Sequence, residues 1–272
     1  DYGQVSQDIM RLQPPILGVA GDQQASLFGH CCFEEGQAKA TYGTGCFILM
    51  NTGAHAVPSK NGLVTTVAAS TKGELRYALE GSVFNAGSTV QWLRDELGLI
   101  KDASETEELA LSVPDTAGAY LVPAFTGLGA PWWDAEARGL ICGLTRGCTR
   151  AHLARAALES IAYQAYDVLE AMRNDFPCDI EELAVDGGGS QNRFTMGWQA
   201  GLLQRPVVRP KTAEVTALGA AYLAGLNAGY WKDLDSLRAN AVQATRFKPE
   251  LAAELRQQSL DGWYHALNRA RG

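Results

Sequence analysis

Apolar and polar positions along this chain change period several times. A short apolar run over residues 16–21 ends in Gly21-Asp22, and two further runs, 39–45 and 46–52, meet at Gly43-Thr44-Gly45. All three predict strands. Residues 63–70 and 75–80 predict two more. From Ala86 the spacing becomes helical, with Ala86, Val90, Leu93 and Leu97 on one face and Gly98 as the stop. Residues 120–125 and 140–144 return to short apolar runs between glycines and prolines. The longest helix is predicted over 150–172, where Leu153, Ala157, Ile161, Ala165, Val168 and Met172 form one stripe and Thr149 can cap the start. A strand at 183–185 runs into Asp186-Gly187-Gly188-Gly189, and a helix bearing Phe194, Trp198 and Leu202 follows. Residues 206–209 predict a strand. Residues 217–226, small and apolar on nearly all sides, predict a helix pressed closely against its neighbours. Residues 250–272 hold a terminal helix. Strands first, then alternating helices and strands, predict one α/β domain over 1–272 with a mixed sheet flanked by helices, residues 1–15 being a leader or partial linker.

Composition narrows the function classes. The 272 residues are 46% hydrophobic and 19% charged, enough for a full core, and no apolar stretch approaches the length of a membrane span. Residues 1–13 are polar without a secretory pattern, so a cytoplasmic location is expected. The chain opens Asp1-Tyr2-Gly3 without methionine, as an excised or processed piece would. The net charge of −7, with no Lys/Arg run, argues against nucleic acid or an anionic membrane as partner. Six cysteines without CxxC spacing predict reduced, mostly buried thiols. The four histidines, His30, His55, His152 and His265, read as surface or core residues.

An anionic ligand would then have to be held locally. Three turns combine glycine with a polar side chain: Gly21-Asp22-Gln23-Gln24, Tyr42-Gly43-Thr44-Gly45 and Asp186-Gly187-Gly188-Gly189. Each follows a predicted strand, and ligands of open α/β sheets settle beyond strand ends. Glycine lets main-chain N–H groups approach phosphate oxygens. Any one such turn taken alone is more often a plain connection, and neither a Walker A sequence nor GxGxxG is present.

Longer motifs go further. The glycine turn with Asp22, Tyr42-Gly43-Thr44-Gly45-Cys46-Phe47, Leu79-Glu80-Gly81-Ser82-Val83-Phe84-Asn85-Ala86-Gly87, Pro123-Ala124-Phe125-Thr126-Gly127-Leu128-Gly129-Ala130-Pro131 and Leu158-Glu159-Ser160-Ile161-Ala162-Tyr163-Gln164 resemble, in order, the glycerol-kinase branch of the FGGY carbohydrate kinase family. The resemblance covers residues 16–246. It implies an actin-like ATPase fold, in which two ribonuclease-H-like domains close over a cleft and this chain corresponds to the second. It further implies ATP and Mg2+ as cofactors, glycerol or a similar polyol as acceptor, an N-terminal kinase domain absent from these residues, and pairing of two copies. Kinases of other polyols, and a non-catalytic nucleotide-binding module, are the competing readings.

The same resemblance assigns roles. Asp22 matches the general base that takes the proton of the acceptor hydroxyl; on the residues alone it reads as an Asx-turn aspartate. Gln23 matches a polyol hydrogen-bonding residue and Phe47 the wall of the carbon chain, although a bare Phe47 is a core aromatic. Thr44 matches the cradle of the β- and γ-phosphates, which is otherwise a turn between strands. Gly87 and Gln91 match nucleotide contacts near a helix start, and Gly188 and Asn192 match the adenosine-side loop. Without the resemblance Gln91 is a solvated helix residue and Asn192 a helix cap. No protein cage for magnesium is visible.

Overall fold

The protein's structure, a computed structural model, describes residues 2–71, 73–212, 214–240 and 244–272. In chain order its elements are α1 (Asp22–Gly29), β1 (Ala38–Tyr42), β2 (Cys46–Gly53), β3 (Val64–Ala68), β4 (Arg76–Val83), α2 (Gly87–Asp95), α3 (Glu105–Leu111), β5 (Tyr120–Val122), β6 (Leu140–Cys142), α4 (Arg150–Asp175), β7 (Leu183–Asp186), α5 (Arg193–Leu203), β8 (Val207–Pro210), α6 (Val215–Asn227), α7 (Leu234–Asn240), β9 (Ala244–Phe247) and α8 (Ala253–Arg271). A 3-10 turn over Gly188–Gln191 links β7 to α5.

Seven strands form one sheet in the order β3-β4-β2-β1-β7-β8-β9. The β3, β4, β2 and β1 pairs are antiparallel, β1-β7 and β7-β8 are parallel, and β8-β9 is antiparallel. The pleat sorts β1 into two faces. Ala38, Ala40 and Tyr42, with Ile48 and Met50 opposite, join the main core with Leu158, Ala162, Val168 and Leu169 of α4. Lys39 and Thr41, with Leu49 and Phe47 opposite, lie on the other face. There Leu49 packs with Leu27 of α1.

The apolar stripe of 150–172 is α4, whose start at Thr149 is held by a 3.1 Å bond from its N–H to His152 Nδ1. On its far end α8 docks through Trp263, stacked 5.2 Å from Tyr163, with its indole N–H donating to Asp167 Oδ2 at 2.9 Å. Asp167 is fully enclosed, and burial pushes its carboxyl up to about 7 against the indole donors that favour the anion. The predicted close packing of 217–226 appears as the α1–α6 contact. A Cβ on Gly219 would stand 1.8 Å from the Ala25 carbonyl oxygen, and one on Gly29 would stand 2.3 Å from that of Val215.

Two features depart from the sequence pattern. Residues 16–21 form no strand: Ile16 exchanges main-chain bonds with Tyr2 and Gly3, and the segment continues as extended chain against α6, where Asn227 Nδ2 donates to the Leu17 carbonyl at 3.1 Å. Helix packing replaces the ladder partner that a strand needs. The second departure comprises α3, α7 and β9, which lie in polar stretches that carry no periodic apolar signal; α3 opens with Glu105, Glu107 and Glu108 in its first turn. All six cysteines are free, and four of them are buried. Among the described residues no helix is long and apolar enough to cross a membrane.

The α1–α6 contact predicts that Gly219→Ala lowers stability by about 1–3 kcal/mol in urea denaturation. Gly197→Ala in α5, where an added Cβ meets nothing within 4 Å, raises it by about 0.5–1 kcal/mol. The Asp167 carboxyl predicts a pH slope. Its folded-state value is raised, so the native chain holds a proton that the unfolded chain has released between about pH 4 and 7. Its contribution is present at low pH and is lost as pH rises through 7. Urea midpoints measured from pH 5 to pH 8 fall less in Asp167→Asn than in the unaltered protein.

Candidate active site

The site grows from the end of β1. Strands β1 and β2 turn through Gly43-Thr44-Gly45, closed by the Gly43 N–H on the Gly45 carbonyl at 2.9 Å. The N-terminus of α2 braces this turn. Gly87 N–H donates to the Gly43 carbonyl, and Ala86 and Ser88 N–H both donate to that of Thr44, each at 3.0 Å. The brace requires glycine, because a Cβ on Gly87 would lie 2.5 Å from the Gly43 oxygen. The carbonyls are thereby occupied, while among the described residues the Thr44 and Gly45 N–H groups have no acceptor. Two such donors on a tight turn make an anion cradle.

The second glycine turn arrives beside the first. Asp186, the last residue of β7, is in register with Thr41 of β1. Gly187 then takes φ +82°, a left-handed conformation in which a side chain would strike the Tyr42 carbonyl at 2.5 Å. The turn folds onto β1 and leaves Gly188 exposed next to the first turn.

The third turn comes from the opposite face of the sheet to α4. Gly21 precedes α1, and Asp22 is its first residue, where a carboxylate meets the positive end of the helix. Gln24 Nε2 donates to Thr66 Oγ1 of β3 at 3.2 Å, and Ser26 Oγ donates to Asp186 Oδ2 at 2.9 Å. These bonds lay α1 across the strands, and Lys39 of β1 links Asp22 and Gln23 to the main chain of Phe47. Gln23 Nε2 donates to Asp22 Oδ2 at 3.1 Å, while Gln23 Oε1 accepts from Lys39 Nζ. Lys39 also donates to the Phe47 carbonyl at 3.4 Å, and the Phe47 side chain is 38% exposed.

The remaining two assignments stand apart. Gln91 is exposed on α2. The side chain of Asn192 caps α5, Oδ1 accepting the Thr195 N–H at 2.9 Å, and its Nδ2 donates to Thr106 Oγ1 of α3 at 3.3 Å. The sequence-level alternative for Asn192 is therefore realised, and any ligand contact must share it with the cap.

Three ionisable residues here have no role assigned by the resemblance: Lys39, which lies outside the quoted motifs, and Glu80 and Asp186, which lie within them. Burial lowers Lys39 to about 8, against the opposing pull of Asp186, Cys46 and Glu80. Burial raises Glu80, with Lys39 opposing and Asp22 adding to the rise. Burial also pushes Asp186 up, but His30, whose Nε2 stands 3.2 Å away, Thr41 and Lys39 hold it below the ordinary carboxylate range. The sequence signal was present in the alternation of Ala38-Lys39-Ala40-Thr41-Tyr42, which marks Lys39 as facing away from the α4 core.

Among the described residues no group of three or more His, Cys, Asp or Glu side chains could hold a metal ion. A cavity of about 910 Å3 adjoins this region without being it. Gly21, Gln24, Arg76, Asn227 and Lys232 line it, but Asp22, Thr44 and Gly188 do not. The chemistry sits on an open face, so cavity size is a poor guide here and the convergent polar groups are the better one.

A mixed seven-stranded sheet flanked by helices, with glycine turns at the ends of β1 and β7, is a domain of the ribonuclease-H-like, actin-like ATPase fold class. The fold matches that of glycerol kinase from Plasmodium falciparum, solved with ADP, at a TM-score of 0.90 and 38% identity over 95% of this chain and 52% of that one. Residues 38–228 carry the pattern of the FGGY family of carbohydrate kinases, C-terminal domain, and the chain belongs to that family. It is 55% identical over 269 residues to glycerol kinase 1 of Clostridium tetani, covering 99% of this chain and 54% of that protein. It is 59% identical over 256 residues to glycerol kinase of Azotobacter vinelandii, covering 94% and 51%. The chain thus spans about half the length of the curated relatives it matches.

The enclosure of Lys39 predicts a direct observable. Following its side chain by 13C NMR through a pH titration gives a midpoint near 8, not the ordinary 10.5.

Proposed function

We propose that this chain is the nucleotide-binding, base-carrying half of a kinase that transfers the γ-phosphoryl group of ATP to glycerol, giving glycerol 3-phosphate and ADP. The observation that supports this most is the hydrogen-bonded chain from Asp22 through Gln23 and Lys39 to the main chain of Phe47, on the strands that join at the Thr44 turn. In this reading Asp22 accepts the proton of the acceptor hydroxyl as its oxygen attacks phosphorus. Gln23 hydrogen-bonds a second hydroxyl, and the exposed Phe47 ring covers the carbon chain.

The Thr44 and Gly45 N–H groups donate to phosphate oxygens, where charge builds in the transition state. Gly188 lets the main chain approach the nucleoside, with Asn192, Gly87 and Gln91 along its path. Magnesium would enter on the nucleotide phosphates and neutralise part of their charge. The other polyol contacts and a second phosphate loop belong, in this reading, to an amino-terminal domain, which is the half of the relatives not spanned here. A cytoplasmic location and pairing of two copies come with the family resemblance and not from the site.

The test joins this chain to the amino-terminal half of the Clostridium tetani relative and measures ATP-dependent glycerol phosphorylation. The fusion phosphorylates glycerol in preference to erythritol or a pentulose, the chain alone does so weakly or not at all, and Asp22→Asn lowers kcat of the fusion by about 10²–10⁴-fold. Undiminished transfer by Asp22→Asn, or a fusion no better than the chain alone, rejects the assignment.

A further inference from the structure

The acceptor side of the site contains a buried cation that none of the assigned roles uses. Lys39 lies within β1 and has no exposed surface. Its ammonium has three N–H donors and no acceptor, and three oxygens take them: Gln23 Oε1, Thr41 Oγ1 at 2.9 Å and the Phe47 carbonyl at 3.4 Å. Among the described residues no carboxylate lies within ion-pair distance of Lys39, so the Asp186 and Glu80 charges act on it only from further away. Burying a cation on neutral oxygens costs stability. A methionine of similar length would fill the same space without that cost.

The chemistry of the next link explains what the cation does. A carboxamide can be turned either way round, and density alone rarely separates its oxygen from its nitrogen. For Gln23 the two neighbours settle the question independently. The ammonium can only donate, so the oxygen must face Lys39; the Asp22 carboxylate can only accept, so the nitrogen must face Asp22. We propose that Lys39 is a positioning residue: it locks the Gln23 amide in the one orientation that turns its nitrogen to Asp22, and through that amide it holds the Asp22 carboxylate in place for the acceptor hydroxyl.

Asp22 is exposed at the start of α1, where nothing else described restrains its side chain. Without the cation the amide is free to flip, which sets its oxygen against the carboxylate and swings both groups out of register with the acceptor. Thr41, which accepts from the same ammonium, lies 3.3 Å from Ser26 Oγ of α1, so Lys39 also helps to seat α1 on β1.

The role of Asp22 is taken from the proposed function, so the test has two arms. In the 272-residue chain, 15N NMR reads the Gln23 side-chain amide. Its two protons are dispersed and exchange slowly in the unaltered chain, and in Lys39→Met they collapse towards the positions of a free glutamine. In the fusion with the relative's amino-terminal half, Lys39→Met raises KM for the acceptor by about 10- to 100-fold and leaves KM for ATP within about twofold, the scale expected for losing a hydrogen bond to a charged group. Lys39→Gln, which keeps an N–H donor, recovers part of both effects and serves if Lys39→Met does not fold. An unchanged Gln23 amide, an unchanged acceptor KM, or acceptor and ATP constants rising together with a lowered Tm would overturn the positioning role. Full transfer by Asp22→Asn would instead remove the kinase assignment, and the amide measurement would still decide what Lys39 holds.

Discussion

Everything at this site depends on main chain meeting main chain at distances that no side chain permits. A protein with a net charge of −7 and no basic run has little long-range attraction to offer a polyphosphate. In the proposed reading it uses oriented amides, and amides are available only where their own carbonyls are already satisfied and nothing protrudes to keep a ligand away. The Gly87 contact with Gly43 and the Gly187 contact with Tyr42 supply that condition at adjacent strand ends. The helix α2 spends its free N–H groups on bracing the first turn, so its dipole acts through the turn rather than directly.

Much of the architecture was legible because this sheet buries one face under a long apolar helix. That gives short apolar runs for β1 to β4 and a 3.6-residue stripe in α4, and the predicted boundaries match the observed elements closely. Residues 16–21 misled because an apolar run next to a glycine reads the same whether its partner is a strand or a helix; here it is α6. The elements α3, α7 and β9 were passed over because their burial is shallow, and Leu237 is the one fully enclosed side chain of α7. Periodicity records burial, and an element that buries little leaves little trace.

The site was legible by a different route. Asp22, Gln23, Thr44 and Phe47 stood out through motif resemblance, while each read alone was a turn or core residue. Asn192 shows that the two readings are not exclusive, since its side chain does cap a helix. Lys39 was missed for a physical reason: in an alternating strand a lysine opposite a core face is expected in water, and only the three-dimensional path of α1 closes that face over it. The second side of this sheet is covered by a separate helix, and no alternation within the strand reports it.

The join between β1 and β7 also governs when the site can exist during synthesis. Ala38 pairs with Leu183, and Ser26 reaches Asp186 across 160 positions. A growing chain emerging from the ribosome therefore completes the hairpin of β1 and β2 long before the strand that closes its flank is made. In that interval β1 presents an open, hydrogen-bonding edge of the kind that recruits other strands. Arrival of β7 both brings the second glycine turn beside the first and seals that edge, so the two turns come together at the step that closes the exposed strand.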